Sequence, residues 1–139
     1  MNEGDGKTLR VALLGCGVVG SQVARLLREQ ADDLAVRTGA RIEVAGIAVR
    51  RLSHPRPGID QALLTTDAME LATRPDVDIV VEVIGGIEPA RGLLLGAMKA
   101  GKSVVTANKA LLAEYGEEVH DASRVFGADL YYELSLIHI

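Results

Sequence analysis

Tryptophan is absent from the 139-residue sequence and phenylalanine occurs once, so aromatic side chains cannot fill the interior. A hydrophobic fraction of 48% leaves the core to Val, Leu, Ile and Ala. Cysteine also occurs once, as Cys16, which excludes an internal disulfide. No apolar run reaches the roughly 20 residues that a membrane-crossing helix needs. The opening MNEGDGKTLR is polar and Gly-rich, with no apolar stretch of the signal-peptide kind behind it. A cytoplasmic location with no membrane partner is the expectation. Positive charge is not in excess: 15 Lys and Arg face 19 Asp and Glu, a net charge of -4, so no basic face marks a nucleic-acid partner. The length suits one domain with one core.

Within those bounds the chain alternates two kinds of segment. Leu9 to Leu14 is a short apolar run that reads as a strand. After GCGVVG, Val18, Val19, Val23, Leu26 and Leu27 recur at helical spacing, which predicts a helix to about Val36 with Gly39 as a left-handed cap beyond it. Ile42 to Val49 reads as a second buried strand, and the two prolines and Gly58 of RRLSHPRPG predict a loop after it. Leu63 to Thr66 is a weaker strand candidate, with Asp67 capping a short helix through Leu71. VDIVVEVIGG is a strand with a glycine exit, and Pro89 then opens a helix that Gly101 closes. SVVTANK is another strand, Asn108 an N-cap, Lys109 to about Ser123 a helix, and ADLYYE a last strand. Strands that read as continuous apolar runs between helices predict an α/β fold, a doubly wound parallel sheet covered on both faces.

The chemistry sits at the strand ends. Gly15-Cys16-Gly17-Val18-Val19-Gly20 follows the first strand and opens the first helix, the position of a dinucleotide fingerprint. Gly15 makes the tight turn, Gly17 lets backbone approach a pyrophosphate, and Gly20 lets helix pack on strand. The free N–H groups and dipole of the helix start, at Val18 and Val19, supply the anion site. A glycine turn that binds nothing is the alternative. The second strand ends Val49-Arg50-Arg51 with no acid for a ribose hydroxyl. A guanidinium there pairs with a 2′-phosphate, with Arg50 ahead of Arg51, and predicts NADPH over NADH; two solvated loop arginines are the other reading.

Gly85 and Gly86 give a cofactor room against the backbone, while Thr106, Asn108 and Lys109 place two polar side chains and an ammonium on the ligand edge. A lysine at a helix start opposes the helix dipole, which hints that Lys109 is there for a ligand; a solvated surface lysine is equally compatible. Cys16 reads as a small buried filler and Tyr115, Tyr131 and Tyr132 as packing residues. His54, His120 and His138 have no metal-ligand spacing, and there is no GxSxG elbow.

VALLGCGVVGSQVARLL, GIAVRR, DIVVEVIGG, AGKSVVTANKALLAEYG and DLYYE, in this order and spacing, resemble the nucleotide-binding half of homoserine dehydrogenases, over about Arg10 to Glu133. TANK after VEVIGG is far more specific than the glycines. The resemblance implies a Rossmann-type fold and the NAD(P)H-dependent reduction of aspartate 4-semialdehyde to homoserine, on the way to threonine and methionine. It places Gly15 to Gly20 at the pyrophosphate, Arg50 at the NADP 2′-phosphate and Thr106 beside the nicotinamide. It matches Lys109 to the first of the family's two active-site lysines. Glu133 matches the first member of a sodium-binding loop, extending the cofactors to a sodium ion in the complete enzyme. Another NADP-dependent reductase of amino-acid pathways, or a non-catalytic nucleotide-sensing module, are the rival readings; the second leaves TANK unexplained.

From Glu133 the family continues YYEAAVAG into a substrate and dimerisation region. Here LSLIHI stands instead. Those residues are also the translation of CTG TCT CTT ATA CAC ATC, the transposase end used in some sequencing libraries. The expectation is a nucleotide-binding domain over 1–133, its sheet incomplete at the C-terminus, a non-native tail over 134–139, and no substrate domain; a native apolar strand is the alternative. On this reading the chain alone binds dinucleotide weakly and turns nothing over, and a homo-oligomer and the small-molecule substrate belong to the complete enzyme.

Overall fold

In the computed structural model the described residues are 8–15, 18–29, 32, 36, 39–52, 56, 58–106 and 108–132. Six strands make one sheet: β1 (Thr8–Leu14), β2 (Arg41–Ala48), β3 (Leu64–Thr65), β4 (Ile79–Glu82), β5 (Ser103–Thr106) and β6 (Leu130–Tyr132). Their order is β3-β2-β1-β4-β5-β6 and every neighbouring pair is parallel. This is the Rossmann order, in which the chain first winds outward from β1 in one direction and then returns to wind in the other. The switch lies between β1 and β4.

The register fixes the functional edge. Leu14 pairs with Ala48 on one side and Glu82 on the other; Ala48 pairs with Thr65, Glu82 with Thr106, and Thr106 with Tyr132. These residues form one row across the carboxyl ends of the strands, so the segments following them emerge side by side.

Among the described residues four helices connect the strands: α1 (Val18–Glu29), α2 (Ala68–Ala72), α3 (Ala90–Lys99) and α4 (Lys109–Phe126). Strand alternation sorts them onto two faces. Ala12 and Leu14 of β1 pack with Leu71 of α2, Leu94 and Met98 of α3, and Leu111 and Val119 of α4. Val11 and Leu13 point the other way and pack with Ala24 of α1 and Ile47 of β2. Leu13 and Leu14 are both wholly buried, as a central strand requires. Complete burial of an aliphatic side chain of this size stabilises the fold by about 1.5–3 kcal/mol, so the apolar runs read from the sequence account for the sheet's interior.

The helix boundaries follow their caps. Asp67 accepts from the Glu70 amide and starts α2. Gly101, at φ 84°, follows α3, and Gly127, at φ 66°, ends α4 three residues beyond the expected end at Ser123. Tyr115 breaks α4 at φ -124° and ψ 19°, just before Gly116, a residue of low helix propensity. Arg91 of α3 lies over the Tyr115 ring at 4.9 Å and binds Glu118 through two hydrogen bonds of 2.5 and 2.7 Å. That guanidinium holds the Glu118 carboxyl below its usual range.

Some expectations shift. The helix predicted to about Val36 is described continuously as α1 to Glu29; of the remainder, the described residues Asp32 and Val36 are also helical, and the others fall outside the described residues. Among its described residues, the loop after β2 contains a 3-10 turn, Gln61–Leu63, whose Ala62 amide is capped by Asp60. β4 starts at Ile79 rather than Val77, because the Asp78 carboxylate accepts the Arg10 amide at 2.8 Å and turns the chain into the strand. Coverage of the two faces is uneven. In β4 and β5, Val80, Glu82, Val104 and Thr106 are buried under α3 and α4, while Ile79, Val81, Ser103 and Val105 on the α1 side are half-buried. Tyr131 and Tyr132, expected as packing residues, are 57% and 41% exposed, because β6 ends the sheet among the described residues. Helices on both faces confirm the α/β doubly wound class.

Candidate functional site

The turn after β1 has the geometry that its glycines predict. Gly15 has φ 105°, a conformation that side chains with a Cβ avoid, and its amide donates to the Ala48 carbonyl at 2.8 Å. Gly20, in the first turn of α1, packs so closely that a Cβ there would lie 2.6 Å from the Gly15 carbonyl oxygen. The helix therefore starts directly against the strand end, with the amides of its first turn at the sheet edge. Val18 and Val19 are its first two residues. Gly17 and Cys16 lie outside the described residues.

A cleft of about 470 Å³ opens beside this turn, lined by Gly15, Val49, Arg50, Arg56, Thr66 and Ile84 among others. It sits over the ends of β1, β2, β3 and β4, where ligands of open α/β sheets bind. Arg50 reaches this lining and Arg51 does not. Arg56, inside the segment read only as a loop, lines it as well. No acidic side chain does so among the described residues. The cradle therefore fits a dinucleotide: a tight turn, a helix start for phosphate, and guanidinium groups after the end of β2.

The second half of the edge lies at the ends of β4 and β5. Gly85 and Gly86 have φ of 82° and 73°, and a Cβ on either would meet open space, so their side of the loop is free for a ligand. Lys109 is exposed as the first residue of α4. Thr106 and Asn108 correct the expectation of polar groups facing a ligand. They are 1% and 7% exposed, and their side chains are turned into the protein. Both meet Glu82, which the sequence reading passed over and which is itself 2% exposed. Thr106 Oγ1 donates to the Glu82 carboxylate at 2.6 Å and accepts the Asn108 amide at 3.0 Å. Asn108 Nδ2 donates to Glu82 at 3.4 Å and to the Gly86 carbonyl at 2.6 Å. The signal for Glu82 was an acid inside an otherwise apolar strand, VVEV, which is never cheap to bury.

The structure thus brings Gly15, Val49 and Arg50 together on one cleft, with Gly20 packed behind the Gly15 turn, and sets Gly85, Gly86, Thr106 and Lys109 along the adjoining edge. Glu133, the sodium-loop candidate, lies outside the described residues, as do His54 and His138. His120 is exposed on α4, edge-on to the Tyr132 ring at 5.4 Å. No helix among the described residues is long and apolar enough to cross a membrane.

A family model described as "Homoserine dehydrogenase, NAD binding domain" matches residues 15–133. The homoserine dehydrogenase of Corynebacterium glutamicum is 54% identical over 134 residues, covering 96% of this chain and 30% of that protein. Among solved structures, a homoserine dehydrogenase from Thiobacillus denitrificans superimposes with a TM-score of 0.82 at 42% identity, over 91% of this chain and 30% of that one. The S. aureus homoserine dehydrogenase at pH 6.0 gives 0.84 at 40% identity, over 91% of this chain and 33% of that one. The chain spans about a third of the length of these relatives.

Proposed function

The chain belongs to the homoserine dehydrogenase family, as its NAD-binding domain, and from that premise we propose that it binds NADPH for the reduction of L-aspartate 4-semialdehyde to L-homoserine in the complete enzyme. The observation that carries the choice of cofactor is the cleft at the end of β2, which presents Arg50 and Arg56 and no acid among its described lining residues. A carboxylate there would accept from a ribose hydroxyl; a guanidinium instead pairs with a 2′-phosphate.

The dinucleotide, when bound, supplies the hydride. The chain's own part is to hold and polarise. Gly15 makes the turn that brings the chain to the pyrophosphate, the first turn of α1 takes it by backbone N–H groups, Arg50 takes the 2′-phosphate, and Gly85 and Gly86 leave room along the β4 edge. The Lys109 ammonium stabilises the aldehyde oxygen as it gains charge. The substrate's other contacts and the homo-oligomer belong to the remaining part of the enzyme in this reading, which also completes any sodium loop begun at Glu133.

Equilibrium titration of the protein with each nucleotide tests the cofactor assignment. NADPH should bind more tightly than NADH, and Arg50→Ala should weaken NADPH while leaving NADH nearly unchanged; NADH binding as tight as NADPH would refute it. In the full-length enzyme, Lys109→Ala should reduce turnover by about 10²-fold or more, the scale of a lost charge-stabilising group, with NADPH affinity largely spared. Unchanged turnover would remove Lys109 from the chemistry.

A further inference from the structure

A carboxylate buried at a strand end is costly unless every oxygen is satisfied. Glu82 is satisfied in full. It accepts from the Thr106 hydroxyl at 2.6 Å, from the Ile84 and Gly85 amides at 2.9 Å each, and from Asn108 Nδ2 at 3.4 Å. Its partners are in turn tied to one another. Thr106 Oγ1 accepts the Asn108 amide, Asn108 Nδ2 also reaches the Gly86 carbonyl, and Asn108 Oδ1 accepts the Leu111 amide at 3.0 Å. One side chain therefore joins three segments: the β4 exit at Ile84–Gly86, the β5 end at Thr106, and the start of α4.

An apolar residue packed at this position would commonly stabilise a fold as well as a buried charge does, so stability is a poor reason for an acid there. Geometry is a better one. Lys109 follows Asn108 directly and is exposed, with no ion-pair partner among the described residues. Its ammonium is placed by the backbone that carries it, and that backbone is held by Glu82 through Thr106 and Asn108.

We infer that Glu82 is a positioning residue for the reaction: its carboxylate fixes the helix start that aims Lys109 across the glycine edge of β4. The inference rests on the assignment of Lys109 to the substrate aldehyde. Glu82→Gln keeps the volume but brings an amide donor to a site where four donors converge, so the network must rearrange.

The test is a double-mutant cycle in the full-length enzyme, with kcat measured per NADPH-binding site. Glu82→Gln should lower kcat by about tenfold or more, as a misplaced catalytic group does, with the dissociation constant for NADPH within about twofold of the original. In a Lys109→Ala background the same change should have almost no effect, because what it positions is already gone. An equal loss in both backgrounds, or no loss in either, overturns the inference while leaving Lys109 in place. A Lys109→Ala enzyme with undiminished kcat overturns the Lys109 assignment and the inference with it.

Asn108→Ser covers a failure of Glu82→Gln to fold. The serine hydroxyl still caps the Leu111 amide, but it cannot bridge Glu82 and the Gly86 carbonyl as the asparagine amide does. It should reproduce the kcat loss, again only when Lys109 is present; full kcat would count against the inference.

Discussion

Asp76 shows how far one residue's chemistry is set by its neighbours. Arg74 binds its carboxylate through two hydrogen bonds of 2.9 and 3.0 Å, and the pair draws the Asp76 pKa down to about 2. A carboxyl that takes up its proton less readily in the folded chain than in the unfolded one stabilises the fold above its ordinary range, near pH 4, and that contribution disappears as pH falls through about 2. The pair is partly solvent-exposed, with side chains 30% and 44% accessible, so screening by solvent keeps its worth at neutral pH to about 1 kcal/mol or less. Asp76→Asn should therefore cost little at pH 7 and flatten the loss of stability between about pH 4 and pH 2, measured by urea unfolding at each pH. An unchanged acid limb would show that Asp76 is not what titrates there. Gly20 gives a sharper residue-scale prediction. With only 2.6 Å between its ideal Cβ and the Gly15 oxygen, Gly20→Ala must push α1 off β1. It should cost about 1–3 kcal/mol and weaken dinucleotide binding together with stability; a fully stable alanine variant would contradict this packing.

At the scale of elements, most boundaries follow local chemistry that a sequence displays. Asp67, Asn108, Gly101 and Gly127 were each visible as residues, and all but Gly127 were assigned to helix ends from sequence. The extra turn of α4 to Gly127 was missed because Arg124, Val125 and Phe126 are exposed and no apolar periodicity marks them. Asn108→Ala removes the acceptor for the Leu111 amide and should cost about 1 kcal/mol from the lost cap, plus the penalty of leaving Glu82 short of a donor. Thermal unfolding should show a larger loss than Asp67→Ala does at α2, where the cap is exposed and no buried group depends on it. Equal losses would mean that the Glu82 contact at 3.4 Å is worth nothing.

For the whole molecule, the two faces of the sheet are separate packing clusters that share β1, and a change in either should unfold both. Leu94, wholly buried between α3 and the sheet, should cost about 2–5 kcal/mol when changed to Ala. The loss should appear in a single transition seen alike by far-UV circular dichroism and by tyrosine fluorescence. Two resolved transitions would show the α1 side standing alone. Saturation with NADPH to about 100 times its dissociation constant should add about 2.7 kcal/mol to that same transition, with NADH at equal concentration adding less.

Sequence alone determined what depends on neighbours along the chain. The glycine spacing after an apolar run, the arginines after the second strand, the proline and glycine that bound α3, and the alternation of strand with helix were sufficient for the α/β sheet and its carboxyl edge. They are local because a turn's φ, a cap and a strand's apolar pattern are decided within a few residues. What only the tertiary structure decided depends on register and on layers. Glu82 and Thr106 stand 24 residues apart, and nothing in either segment says that β4 and β5 align them as a pair. That alignment turns an apparent interruption of an apolar strand into the centre of a buried network, and turns Thr106 and Asn108 into the protein interior. Tyr131 and Tyr132 were misread for the same reason. Whether a side chain on β6 is buried is settled by what lies against its strand, a property of the assembled sheet rather than of the residue.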